Sequence, residues 1–521
     1  LNLFIFAACG GSGGGGDNDG DGDNAPLGDM GGTWDGTWVS TVTTGLDGSF
    51  QARVIQSGSS LSGGIDIPFI GMDDAPLTGT VSGSSITFGD IDRTITFTGT
   101  VSGDRSSGTF SMPSYSQSGT WTADRTARGD GDGDSATDLD AGFGSNGVVV
   151  TDLHLTPMAV AVQSTGRILI AGDPMLNYPN TPEVRLVGLT ASGQVDTAFG
   201  SDGIVATVVD PIAADRVCGL TLDENDAIYL CAQAGWETLA LLRYASDGEP
   251  DTTFGSGGQI KVTLNPGETT AAIHLTVDNK LLVAGYDNEN VQVRRFLADG
   301  SVDTDFDADG EATIEITGLQ RVADLSVDDS GRILVGGTAN SDLFILALTD
   351  SGAVDTDWAS GGMTTLDEGS ADEARDMALL TDGRIVLAAF GVFEWRSPKT
   401  AFMAVHRSDG VIDDSFGTQG VSGVHDLDNG VAPLFDAYLQ IAVDGQDRIT
   451  AAGIDTNRFL VARWDGDGLL DTSFGGDGFA TADFGSTGGW DHATAVAVQP
   501  DDKVLVAGVA NSVKLVVARY N

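Results

Sequence analysis

Lysine is nearly absent from this chain of 521 residues: only five of its 26 basic side chains are Lys, against 75 acidic ones. The formal net charge is −49, and a surface of that sign repels phosphate backbones, so a nucleic-acid partner is excluded. Glutamate is scarce as well. Only 11 of the 75 acids are Glu, and many of the Asp residues stand beside Gly or Asn, where Asx turns favour them. No apolar run approaches the roughly 18 residues needed to cross a membrane as a helix, which excludes polytopic helical membrane proteins. The five His (His154, His274, His406, His425 and His492) show no zinc-ligand spacing, and we read them as hydrogen-bonded structural residues. A GxSxG elbow and a phosphate-binding loop are both missing.

Glycine is what the chain has in excess. Its 73 residues follow no triplet period, so they mark a turn-dense all-β chain with linker segments rather than a collagen. Length alone implies several domains.

The chain opens LNLFIFAACGGSGGGG. Apolar Leu1–Phe6, small Ala7 and Ala8, and then Cys9 resemble the end of a bacterial lipoprotein signal, with Phe6 where Leu is usual. The resemblance implies lipidation at Cys9, and Gly10 in the next position implies export to the outer membrane. The membrane is then touched only through a lipid anchor, and the expected location is the cell envelope. Residues 10–31 read as a Gly/Asp-rich tether with nothing apolar to bury. Within it Asp17, Asp19, Asp21 and Gly22 match the first half of an EF-hand loop, but Gly28 stands where the bidentate Glu belongs. Residues 128–137 form a second acidic linker. No cofactor is expected to be required, with calcium as the open alternative.

Between the linkers, residues 32–127 alternate with period two and break at Gly/Ser turns, giving eight short strands. The expectation is a small up-and-down β-barrel with Trp34, Trp38, Phe50, Phe88, Phe97, Phe110 and Trp121 in its core. The GTW at each end and the LSG and LTG turns resemble small lipocalin-like or avidin-like barrels. We read it as a filled spacer rather than a ligand cup.

From residue 138 to 521 the sequence is periodic. Seven anchors recur (LDAGFG, VDTAFG, PDTTFG, VDTDFD, VDTDWA, IDDSFG and LDTSFG), their Asp residues 52–58 positions apart. Four strand-like runs follow each anchor, which is the signature of a propeller blade. The runs AVQSTGRILIAG, AVQPDDKVLVAG, VARYN and LLDTSFGGDG resemble the delta-60 repeat family, a bacterial β-propeller repeat. Asp307 and Ala359 replace its anchor Gly, and Trp358 its Phe. The resemblance implies a seven-bladed β-propeller with a 1+3 closure, in which the first copy donates GVVVTD as the outer strand of a last blade ending at Asn521. It implies no reaction. We read the anchor Asp residues as turn-closers rather than as a metal ring, with the aromatic wedged between blades.

Within this assignment the b–c and d–a loops share one face. Trp236, Trp395 and Arg396 fall in b–c loops, and Trp490 and Asp491 in a d–a loop, so these five are the candidate ligand contacts. Cys218 and Cys231 come opposite each other if Glu224 and Asn225 form a two-residue turn. A disulfide and a pair of buried free thiols are both open. Asp372, Glu373, Arg375 and Asp376 are the densest charged cluster, read as a solvated loop before an inner strand. The functional expectation is a monomeric envelope lipoprotein that binds an extracellular or envelope polymer or protein. The alternative is a propeller hydrolase or lyase acting on an extracellular polymer.

Overall fold

A computed structural model describes residues 32–127 and 139–521, apart from 44–45, 58–59, 68–71, 83, 91–94, 103–104, 176–182, 211–214, 368–371, 392–399, 418–419, 424–438, 456–457, 477, 483, 485–490 and 511–513. The lipobox with Cys9, the tether, the linker at 128–137, and Trp395, Arg396 and Trp490 lie outside the described residues. The chain divides into two compact units on either side of residues 132 and 133.

In the first unit eight strands pair in chain order and close: β1 (Gly32–Ser40), β2 (Asp47–Ser57), β3 (Ser60–Ile67), β4 (Met72–Ser82), β5 (Ser85–Asp90), β6 (Thr96–Ser102), β7 (Arg105–Met112) and β8 (Gln117–Ala127). Closure pairs β1 with β8, placing Trp38 opposite Trp121. All seven expected aromatics are buried. Their rings fill the interior: Phe97 lies 4.6 Å from Phe50, 4.9 Å from Phe88 and 5.6 Å from Trp121, centroid to centroid. Gly36 faces the Phe50 ring so closely that a Cβ there would stand 2.2 Å from it, so glycine makes room for the aromatic on the neighbouring strand.

The second unit is seven four-stranded antiparallel sheets, each with strands a to d from the inside outwards. The seven a strands are Leu155–Val162, Asp215–Leu222, Thr269–Leu275, Leu319–Val327, Glu373–Leu379, Gln440–Val443 and His492–Val498. Strand b of blades 2, 4, 5 and 7 is buried along its whole length, because each sheet is covered on both faces by its neighbours. That is why these strands read as continuous apolar runs. The outer strands, such as Ile204–Thr207, keep one face wet. Blade 7 is completed by Val148–Thr151, which pairs antiparallel with Lys514–Tyr520. The closure is thus one strand from the start of the repeats and three from their end, and no sheet edge is left open at the seam.

Each anchor Asp has two duties. One carboxylate oxygen accepts the N–H two residues on, at 2.9–3.3 Å in all seven anchors. The other accepts from a guanidinium or ammonium group: Arg167 on Asp196, Arg295 on Asp303, Arg332 on Asp355, Arg463 on Asp471, and Arg519 and Lys503 on Asp140. Several of these arginines also lie over the anchor ring, as Arg519 does over Phe143 at 4.5 Å and Arg463 over Phe474 at 4.6 Å. The anchor ring in turn meets the positive-φ glycine of the next blade. A Cβ on Gly248 would stand 3.0 Å from Phe199, and one on Gly410 2.7 Å from Trp358. Arginines that meet an anchor Asp reach the next blade as well, Arg167 donating to Ser246 O, Arg295 to Asp350 O, Arg384 to Gly466 O and Arg519 to Ala191 O.

Candidate functional site

The a strands surround a central channel, and in blades 1 to 5 and 7 each carries a β-bulge near its start. A bulge turns one extra residue out of the ladder and re-aims its neighbours. Here it tips side chains of successive blades into a cavity of about 370 Å3 at the channel mouth. The cavity lies on the face where strands a begin and strands b end. Its polar wall comes from Arg216 in blade 2, Arg321 and Asp324 in blade 4, Arg375 and Asp376 in blade 5, and Gln440 in blade 6, with Gln233 and Tyr286 contributed by b strands.

Blade-to-blade hydrogen bonds fix this rim. Val217 N–H donates to Asp173 Oδ1 at 2.7 Å, Thr270 N–H to Gln233 Oε1 at 2.9 Å, Ala374 N–H to Thr338 Oγ1 at 2.8 Å and Ile441 N–H to Asp376 Oδ2 at 2.8 Å. The Thr494 hydroxyl donates to Pro157 O at 2.6 Å and carries the pattern across the seam. Polar side chains of one blade thus satisfy backbone groups on the inner strand of the next.

Asp324 and Asp376 hold equivalent places in adjacent blades, and their carboxyl groups hydrogen-bond to each other. Burial pushes Asp376 up to about 6, held back by the N–H groups of Ile441 and Met377 and by the nearby Arg321 charge. Asp324 is held well above the ordinary carboxylate range, first by burial and then by the charge of Asp376. Beside them Arg375 and Arg321 both reach Glu373, at 3.1 and 3.8 Å. Across the cavity Asp173 is raised to about 6 by burial, against the opposing pull of the Val217 N–H and the Arg216 charge.

The charged cluster Asp372–Asp376 is therefore not the solvated loop expected from its composition. Glu373 opens strand a of blade 5, and the bulge between Ala374 and Asp376 is what brings Arg375 and Asp376 to the cavity.

Of the expected ligand contacts, Trp236 is 84% exposed, in the b–c turn three residues beyond cavity-lining Gln233. Asp491 must be corrected: it is fully buried, and its carboxylate accepts the Phe484 N–H at 2.9 Å. Asp215 does the same for Val209 at 2.8 Å, and Glu268 for Asn265 at 2.9 Å, so an acid at this point of a blade pins the d–a loop. Cys218 and Cys231 are joined in a disulfide, with Cα atoms 5.2 Å apart. The turn is longer than the expected two residues, since Leu222 pairs with Ile228. Cys231 then faces Gly219, and the bulge brings Cys218 alongside. Tyr286 ends strand b of blade 3 and lines the cavity. Among the described residues no three His, Cys, Asp or Glu side chains gather as a metal site, and no helix is long and apolar enough to cross a membrane.

Fold and rim together define a seven-bladed β-propeller with a polar channel mouth. A family described as a domain of unknown function (DUF5122) β-propeller matches residues 163–199 and 278–306, each segment running from an a–b turn to an anchor aromatic. No curated protein sequence matches the chain. Solved structures similar to it include virginiamycin B lyase from Staphylococcus aureus in a catalytically inactive form with quinupristin (10% identity, TM-score 0.42, covering 71% of this chain and 98% of that one). The β-propeller domain of the Trilobed protease from Pyrococcus furiosus is similar at 12% identity and TM-score 0.39, over 70% and 94% of the two chains. A gluconolactonase from Xanthomonas campestris follows at 14% and 0.29, over 56% and 90%. These likenesses speak to the fold alone.

Proposed function

We propose that this protein is a cell-envelope lipoprotein whose propeller is a binding module for an envelope or extracellular polymer or protein, with the channel mouth as its site. The observation that carries the reading is the convergence of Arg216, Arg321, Arg375, Asp324 and Asp376 on one cavity, with Trp236 exposed in the adjoining turn. A concave site with a few converging polar groups and perturbed carboxyls is the usual form of a ligand site. The anchoring rests on Ala7-Ala8-Cys9 and the tether that follows.

A glycan and peptidoglycan array with the purified chain, with and without calcium, tests the binding. A retained ligand should be lost on Arg375→Ala and weakened on Trp236→Ala. Retention unchanged by both substitutions would place the site elsewhere. Palmitate labelling of the chain with its native upstream sequence, abolished by Cys9→Ala, tests the anchor.

The hydrolase or lyase alternative is favoured by one feature, the buried Asp324–Asp376 pair with both carboxyls raised, since groups poised near neutral pH suit acid–base work. Two carboxyls in hydrogen-bond contact are nonetheless closer than the roughly 5–9.5 Å separation of acid and base in most glycosidases. Shortening of a retained polymer that disappears in Asp376→Asn would establish the alternative.

A further inference from the structure

The chain carries −49, yet the three arginines of the channel mouth, Arg216, Arg321 and Arg375, are nearly balanced by the acids in the wall and just behind it. On the side of blades 4 and 5, Arg321 and Arg375 both reach Glu373 and stand beside Asp324 and Asp376. On the opposite side Arg216 stands near Asp173. A charged ligand entering such a site would lose its hydration and find no net opposite charge, which is unfavourable in a confined space. An apolar ligand fits no better, because the wall is mostly polar.

What the wall does offer is alternating donors and acceptors on planar groups: guanidiniums, a carboxyl pair and the amides of Gln233 and Gln440. Two wall residues also have unspent hydrogen-bonding capacity. Thr270 is 7% exposed and its hydroxyl has no partner, and Arg321 Nε–H has none either. Planar bidentate groups suit ligands that present neighbouring hydroxyls. Trp236, in the b–c turn three residues beyond cavity-lining Gln233 and 84% exposed, supplies an apolar ring with nothing packed over it. Such a ring suits the C–H face of a sugar. The volume of about 370 Å3 falls at the lower end of the roughly 300–1,000 Å3 typical of small-molecule sites, the scale of a short oligosaccharide end.

From this arrangement we infer that the channel mouth binds a neutral saccharide unit, held by the Arg, Asp and Gln side chains of blades 2, 4, 5 and 6 and stacked at the rim on Trp236. The inference rests on the binding-module reading and narrows its ligand to uncharged glycans.

The test is calorimetric titration of the full chain with three sets of probes: oligomers of glucose, mannose and N-acetylglucosamine; oligomers of glucuronate; and short acidic and basic peptides. The expected result is binding of at least one neutral oligomer with less than about twofold change between low and high salt, because no counterions are released. Trp236→Ala should weaken it at least about tenfold, and Trp236→Phe should restore most of the loss, with melting temperature unchanged in both. Preference for glucuronate or acidic peptides, with affinity falling in salt and in Arg216→Gln, would overturn the neutral class while leaving the binding module standing. If no probe binds at all, the neutral-saccharide inference falls, and the glycan and peptidoglycan array decides the binding-module reading separately.

Discussion

Asp140 and Arg519 lie 379 residues apart in sequence, yet the Arg519 guanidinium meets the Asp140 carboxylate at 2.6–2.8 Å and lies over the Phe143 ring of the same anchor. The first repeat's anchor is thereby clamped to the last blade's third strand, beside Asp140 N–H on Arg519 O at 2.7 Å. In blades 2, 3 and 6 the equivalent arginine and anchor Asp lie only eight residues apart. At the seam it closes the ring.

Asp140→Asn should therefore destabilise the propeller by about 3 kcal/mol, since it leaves a buried guanidinium without its counter-charge. Asp409→Asn, at an exposed pair with Arg407 in blade 5, should change stability by less than about 0.5 kcal/mol. Denaturant unfolding of both variants checks this, and equal midpoints would show that the seam is held by strand pairing alone.

The pH dependence should have a maximum in mild acid. Asp173 and Asp376 have folded-state values raised to about 6, so their contribution is fully present below the ordinary carboxylate value and is lost as pH rises through 6. Asp140 is lowered to about 2, chiefly by Lys503, and Asp196 is lowered by Arg167; their contribution is present above the ordinary value and lost as pH falls toward 2. Melting temperature should rise from pH 7.5 to 5 and fall below pH 4. Relief of general charge repulsion acts in the same direction above pH 4. Asp173→Asn separates the two causes, because it should flatten the rise only if the local carboxyl drives it.

Alkylation of the unreduced protein should leave the Cys218 and Cys231 peptides unlabelled. Reduction should cost about 3 kcal/mol, from the entropy regained by the 13-residue loop. Ready labelling of either peptide without reductant would show that the thiols are free.

Ala359 occupies the anchor's glycine position with φ +46°, and Asp307 does so with φ +45°. Ala359→Gly should stabilise the propeller by about 1 kcal/mol, because the left-handed region disfavours a Cβ. Asp307→Gly should gain less, since Asp tolerates that region better. Paired thermal melts decide the order.

The repeat was legible because every blade solves the same packing problem. The anchor Asp, its aromatic and the apolar b strand recur wherever a sheet must be covered on both faces, so period and strand order could be read directly. The barrel was legible for a related reason, since Trp38, Phe97 and Trp121 stand on alternating positions that can only point inward. The channel mouth was harder to see. Asp324 and Asp376 each lie 21 residues after their repeat's anchor Asp, and that shared offset is the signal that could have paired them. Arg375 was hidden by the bulge, which shifts the register by one residue and sends to the cavity a side chain that simple alternation assigns elsewhere. Asp491 was misjudged because an acid in a polar loop gives no sign of whether it faces water or the loop's own backbone.

The sequence by itself determined the all-β class, the repeat unit and its strand order, the seam, and the burial of the barrel aromatics, because these follow from local alternation and from periodicity that each segment carries alone. Only the tertiary structure decided which side chains share the channel. That grouping depends on the rotation from blade to blade and on one-residue bulges, and it sets side chains 52 residues apart in hydrogen-bond contact where burial and mutual charge raise both carboxyls.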